Sequence, residues 1–110
     1  MPLYNGLYKV TLQTAAGTEY GVAYLLDGRL RGGDSGMAYV GNYAQEGDAF
    51  SAEVSVAPHR ALPGAASLLG YAEVVVLLEG LSADGCAKLR GSARDVPGVR
   101  LTATLSLLAD

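Results

Sequence analysis

Apolar and polar residues alternate with a period of two along most of the chain. No stretch sustains the i, i+3, i+4, i+7 spacing of a helix with one buried stripe, so the pattern predicts short strands joined by turns. From Gly6 to Gln13, Tyr8, Val10 and Leu12 share one face and Lys9, Thr11 and Gln13 the other, as in a half-buried strand. After a turn at Ala15-Ala16-Gly17, Tyr20, Val22, Tyr24 and Leu26 alternate with Glu19, Gly21, Ala23 and Leu25, and the bulkier set is expected inward. Asp27-Gly28 separates this run from Arg29-Leu30-Arg31 and tolerates the positive φ of a two-residue type I′ hairpin. Gly32-Gly33-Asp34-Ser35-Gly36 punctuates the chain, an extended stretch follows from Met37 to Tyr43, and Ala44 to Gly47 reads as a polar loop. Phe50, Ala52, Val54 and Val56 then form a regular inward face.

The segment from Pro58 to Gly70 breaks the rhythm and reads as a linker over one barrel end, with a short helical turn over Pro63 to Leu69. Strand character returns from Ala72 to Leu81, and a turn is expected at Ser82 to Gly85. Two further strands place Ala87, Leu89, Gly91 and Ala93, then Val99, Leu101, Ala103, Leu105 and Leu107, inward. About eight short strands at meander spacing predict an all-β fold whose antiparallel sheet removes its edges by closing into a small up-and-down barrel. Residues 1–110 are expected to form a single domain, because 110 residues suit one core better than two.

Composition narrows the functional classes. At 50% hydrophobic and 17% charged residues the chain is expected to fold. The net charge of −3 and the scattered Lys and Arg residues speak against direct nucleic-acid binding. Apolar runs such as Val74 to Leu78 are far shorter than the ~20 residues of a membrane-spanning helix. The N-terminus lacks the features of a secretory signal, so a cytoplasmic location is expected. The single cysteine, Cys86, excludes an intrachain disulfide.

Gly33-Asp34-Ser35-Gly36 locally resembles the surroundings of the nucleophile in chymotrypsin-like serine proteases. Those enzymes supply an upstream histidine, whereas the one histidine here, His59, lies downstream. The simpler reading is a Gly-rich turn in which Asp34 bonds nearby backbone amides. His59 has no second ligand at metal-site spacing, and the carboxylates form no acid–base pair that spacing can identify. No catalytic residue, metal site or cofactor is therefore assigned, and the chain reads as a non-enzymatic protein.

Seven tyrosines against one phenylalanine and no tryptophan mean that nearly every aromatic ring carries a polar tip. Tyr8, Tyr20 and Tyr24, all expected inward, either fill the barrel or line a cavity, for which the small inward Ala52, Ala87, Gly91, Ala93 and Ala103 leave room. A small-ligand carrier or sensor is thus one reading. A second feature is the strand from Ala72 to Glu79, apolar on both faces. Its outward Val75 and Leu77, rimmed by Glu73 and Glu79, suggest a homodimer interface unless the segment after Pro58 covers them.

Gly6-Leu7-Tyr8-Lys9-Val10, the run from Gly21 to Ser35 and the stretch Tyr39 to Tyr43 resemble the GrlR-like family, small bacterial proteins named for a negative regulator of type III secretion. The stretch around Arg31-Gly32-Gly33-Asp34 is the most specific part, and the later strands match in pattern only. The resemblance implies a lipocalin-like eight-stranded barrel, often dimeric, that restrains a transcriptional activator by direct contact. Partner contact in that regulator is associated with an acidic surface loop. The corresponding place here, Gln45-Glu46-Gly47-Asp48, makes Glu46 and Asp48 the implied partner-binding residues, with the acidic run interrupted by Gly47.

Overall fold

The computed structural model describes residues 1–60, 73–94 and 96–110. Among them are eight strands: β1 (Gly6–Thr14), β2 (Gly17–Leu26), β3 (Arg29–Gly33), β4 (Met37–Glu46), β5 (Ala49–Pro58), β6 (Val74–Ala83), β7 (Cys86–Ala93) and β8 (Arg100–Ala109). Each pairs antiparallel with its neighbours in sequence, and β8 returns to β1, so the sheet is a closed up-and-down barrel with no free edge. The linker and helical turn expected between Pro58 and Gly70 fall mostly on residues outside the described set.

The turns follow from local chemistry. Asp27 and Gly28 have φ of 47° and 88°, the pair of positive values a type I′ hairpin requires, and the Tyr43 amide donates to the Gly28 carbonyl at 2.9 Å. Asp84 and Gly85, with φ of 52° and 76°, repeat the device, so β6 runs on to Ala83 and the turn is tighter than expected. Ala44, Gln45 and Glu46 are likewise strand rather than loop, paired with Ser51, Phe50 and Ala49.

The alternation in β1, β5, β6 and β7 has the expected phase, but that of β2 is reversed. Ala23 and Leu25 are buried, while Tyr20 and Tyr24 stand on the outer wall at 64% and 41% exposure. Cross-strand pairing explains this, because directly opposed residues share a face: Tyr8 lies opposite Ala23, Val10 opposite Gly21 and Leu12 opposite Glu19. Opposite the large Tyr8 and Val10 of β1, β2 places the small Ala23 and Gly21. At Gly21 the requirement is strict, since a Cβ there would approach the Tyr39 hydroxyl to 2.8 Å. On β8, Leu101, Ala103 and Leu105 are buried as expected, but Leu107 is exposed at the end of the strand, near where pairing with β1 slips between Leu7 and Tyr8.

The N-terminal segment closes one end. Leu3 is buried, its backbone amide donating to the Gln45 Oε1 at 2.7 Å and its carbonyl accepting from Nε2 at 3.0 Å. Ser82, the buried polar residue of the described set, donates its hydroxyl to the Met1 carbonyl at 2.7 Å.

Candidate functional site: the outer wall

The lumen is filled. Tyr8 is wholly buried and its hydroxyl donates to the Tyr4 carbonyl at 2.7 Å; burial, then the neighbouring Tyr43, push its ionisation above the usual tyrosine value. Phe50 stacks on Tyr43 with ring centroids 5.4 Å apart. The small inward residues do not leave the expected roomy cavity. What remains inside is an apolar void of about 50 Å³ bordered by Val10, Tyr39, Phe50, Val76 and Leu89 among others. That is far below the ~300–1,000 Å³ of small-molecule sites. Of the three tyrosines expected to line a cavity, only Tyr8 faces the lumen.

At the other end, the turn from Asp34 to Gly36 is built on the Asp34 carboxylate. Its Oδ1 accepts from the Gly36 and Met37 amides at 2.9 Å and 2.8 Å, and its Oδ2 accepts from the buried Tyr39 hydroxyl at 2.7 Å. Burial alone would raise the Asp34 carboxyl; hydrogen bonds from Tyr39, Gly36, Met37 and Glu19 outweigh it and hold the group below the ordinary aspartate value. Burial, then the bond to Asp34 and the charges of Asp34 and Glu19, push the Tyr39 phenol well above the ordinary value. The His59 Nε2 donates to the Asp34 carbonyl at 2.9 Å, and Arg60 Nε donates to the Ser35 carbonyl at 2.8 Å. His59 thus buttresses the turn, and the bonds from the Gly36 and Met37 amides to Asp34 are those expected of a Gly-rich turn at this motif. No group of three His, Cys, Asp or Glu side chains among the described residues could hold a metal ion.

Exposed apolar side chains are instead gathered on the outside of the barrel. On β6, Leu77 and Leu81 are exposed and Val75 is half-buried. Across their strand runs an open trough of about 1,270 Å³ bordered by Ser51, Glu79, Leu81, Lys88, Arg90 and Thr102 among others. Ser51, Glu79, Arg90 and Thr102 are consecutive cross-strand partners, so they form a polar band around the wall. Charges here are matched: Arg90 Nε lies 3.6 Å from Glu79 Oε1, and Arg94 pairs with Glu53. Cys86 is half-buried at the trough's edge, its Sγ 3.9 Å from the Ser106 Oγ.

Glu46 and Asp48 flank Gly47 at the β4–β5 hairpin, and both are exposed. Asp48 is engaged by the N-terminal ammonium group. The second apolar surface was hidden from the sequence by the phase of β2. Tyr20, Val22, Tyr24 and Leu26 line its outer face, with Val40 two strands away. The signal that finds it is register: once Tyr8 is inward, its partner Ala23 must be too, and Tyr24 must point out. No family model matches the chain, and no curated protein matches it at a significant level.

Proposed function

We propose that this barrel is a non-enzymatic protein-binding module that works through its outer wall. The observation that carries the proposal is a lumen with about 50 Å³ of empty space beside an outer wall on which Tyr20, Val22, Tyr24, Leu26, Val40, Leu77 and Leu81 are exposed. Aromatic and aliphatic clusters of this kind on a soluble protein mark interaction surfaces. The resemblance to GrlR-like regulators supplies the finer reading, in which the barrel restrains a transcriptional activator in the cytoplasm by direct contact. Glu46 and Asp48 are the proposed contact residues at the hairpin. Val75 and Leu77 are the proposed homodimer interface, where matched charges suit a surface that meets its own copy across a two-fold axis. The carrier reading draws no support from a void of this size.

The test is affinity capture from the native cytoplasm followed by mass spectrometry, with the wild type and Glu46→Lys plus Asp48→Lys compared side by side. The expected result is a DNA-binding activator retained by the wild type and weakened by the double change, with unaltered circular dichroism. An activator held equally by both proteins would remove the hairpin from the binding surface. Absence of any protein companion would overturn the regulatory reading.

A further inference from the structure

The outer face of β1 to β4 differs in charge from the rest of the wall. Lys9 lies opposite Val22, Arg29 opposite Leu26, and Arg31 opposite Tyr24 on one side and Val40 on the other. Three cations are therefore interleaved with five exposed apolar side chains on a chain whose net charge is −3. The outer-face positions of β1, β2 and β3 carry no carboxylate, nor do those of β4 between Ala38 and Ala44. The carboxylate of the adjoining hairpin, Asp27, is turned to the Asn5 side chain, which donates to it at 3.0 Å. Two of the cations, Arg31 and Lys9, are held in place. Arg31 Nη1 donates to the Leu30 and Gly41 carbonyls at 2.9 Å and 2.8 Å, and Lys9 Nζ sits 5.3 Å from the centre of the Tyr20 ring.

From this we infer that the β1–β4 face docks an acidic amphipathic helix of a partner protein. The inference rests on the protein-binding reading above and names the face and the chemistry of its occupant. Three features select that occupant. Strand addition needs an open sheet edge, and the barrel has none. Alternate residues of β2 are ~7 Å apart, close to the ~6 Å rise between positions i and i+4 of a helix, so a row of helical apolar residues can follow Tyr20, Val22, Tyr24 and Leu26. The helix's acidic flanks would then meet Lys9 on one side and Arg29 and Arg31 on the other.

The same charges disfavour the other occupants. A second copy applying this face to itself would bring like charges together. Single-stranded nucleic acid would stack bases on Tyr20 and Tyr24, but Lys9 already covers a face of the Tyr20 ring, and Val22 stands between the tyrosines.

The experiment uses the whole purified chain and three fluorescent probes read by anisotropy. They are an amphipathic helical peptide of about 18 residues with leucine on one face and glutamate on the other, the same peptide with lysine for glutamate, and an oligothymidylate of about 20 nucleotides, sized to span the ~20 Å row. The acidic peptide is expected to bind and the basic one not. Tyr24→Ser with Val40→Ser should weaken binding by roughly tenfold or more, as loss of an interface anchor does. Arg29→Glu with Arg31→Glu should remove the salt-sensitive part of the affinity. Equal binding of both peptides, preference for the oligonucleotide, or a dimer lost on Tyr24→Ser would each overturn the inference. If the acidic peptide fails while the native companion is still captured by the Tyr24→Ser, Val40→Ser protein, the outer-wall function stands and this face is not its seat.

Discussion

Replacing Asp34 by alanine removes one carboxylate and strands three donors. Two of them, the Gly36 and Met37 amides, belong to buried residues of the turn, and each lost bond costs a net ~0.5–1.5 kcal/mol. The third, the Tyr39 hydroxyl, belongs to a residue 6% exposed, and an unsatisfied buried donor costs ~1–3 kcal/mol. The sum is about 2–6 kcal/mol, a large share of the ~5–15 kcal/mol that stabilises a domain of this size. At roughly 4 °C per kcal/mol it corresponds to a fall in Tm on the order of 10 °C or more. Thermal and urea unfolding followed by circular dichroism at pH 7 reads it directly. Because Asp34 and Tyr39 share one bond, Asp34→Ala combined with Tyr39→Phe should cost less than the sum of the single changes. The pH dependence has a definite sign. Hydrogen bonds hold the Asp34 carboxyl below its unfolded value of ~3.9, so its contribution is complete above that pH and is lost as pH falls through the lower folded value. The stability gap between wild type and Asp34→Asn should therefore shrink in acid below about pH 4. An Asp34→Ala protein within about 1 kcal/mol of wild type, or additive single changes, would refute the view that this carboxylate organises the barrel end.

Gly28→Val should destabilise by ~1 kcal/mol or more, since Gly28 sits at φ 88° where a β-branched residue is strained, and an unchanged urea midpoint would contradict it. Ser35→Ala should leave stability and partner capture as they are, because the turn is held by Asp34 and by the Ser35 backbone; labelling of Ser35 by a fluorophosphonate, abolished by His59→Ala, would argue otherwise. Val75→Lys with Leu77→Glu should yield a folded monomer by light scattering, and a dimer that survives both changes would exclude β6 as the interface.

The fold class was legible because a period of two needs no tertiary information: Val54, Val56, Leu89 and Leu101 alternate with polar neighbours whatever surrounds them. The Asp27-Gly28 hairpin was legible for the same reason, its backbone angles being a local property. The site was not. In β2 both phases are apolar, and hydrophobicity favours the larger set, so Tyr20 and Tyr24 read as inward. Only the pairing of Tyr8 with Ala23 reverses them, and pairing is a relation between strands. The apparent cavity failed in the same way. Ala52, Ala87 and Gly91 look like missing volume along one strand, but the lumen is bounded by all eight strands together, and they leave a void of only about 50 Å³.

The outer-wall account is tested most directly by native mass spectrometry of the barrel isolated from its own cell extract. One spectrum reads protein companions, copy number and any retained small molecule together. Expected is a complex with a protein companion, lost when Tyr24 and Val40 are both changed to serine, and no small molecule retained inside the barrel. A stoichiometric organic ligand released on unfolding, with no protein companion, would place function in the lumen and contradict the account.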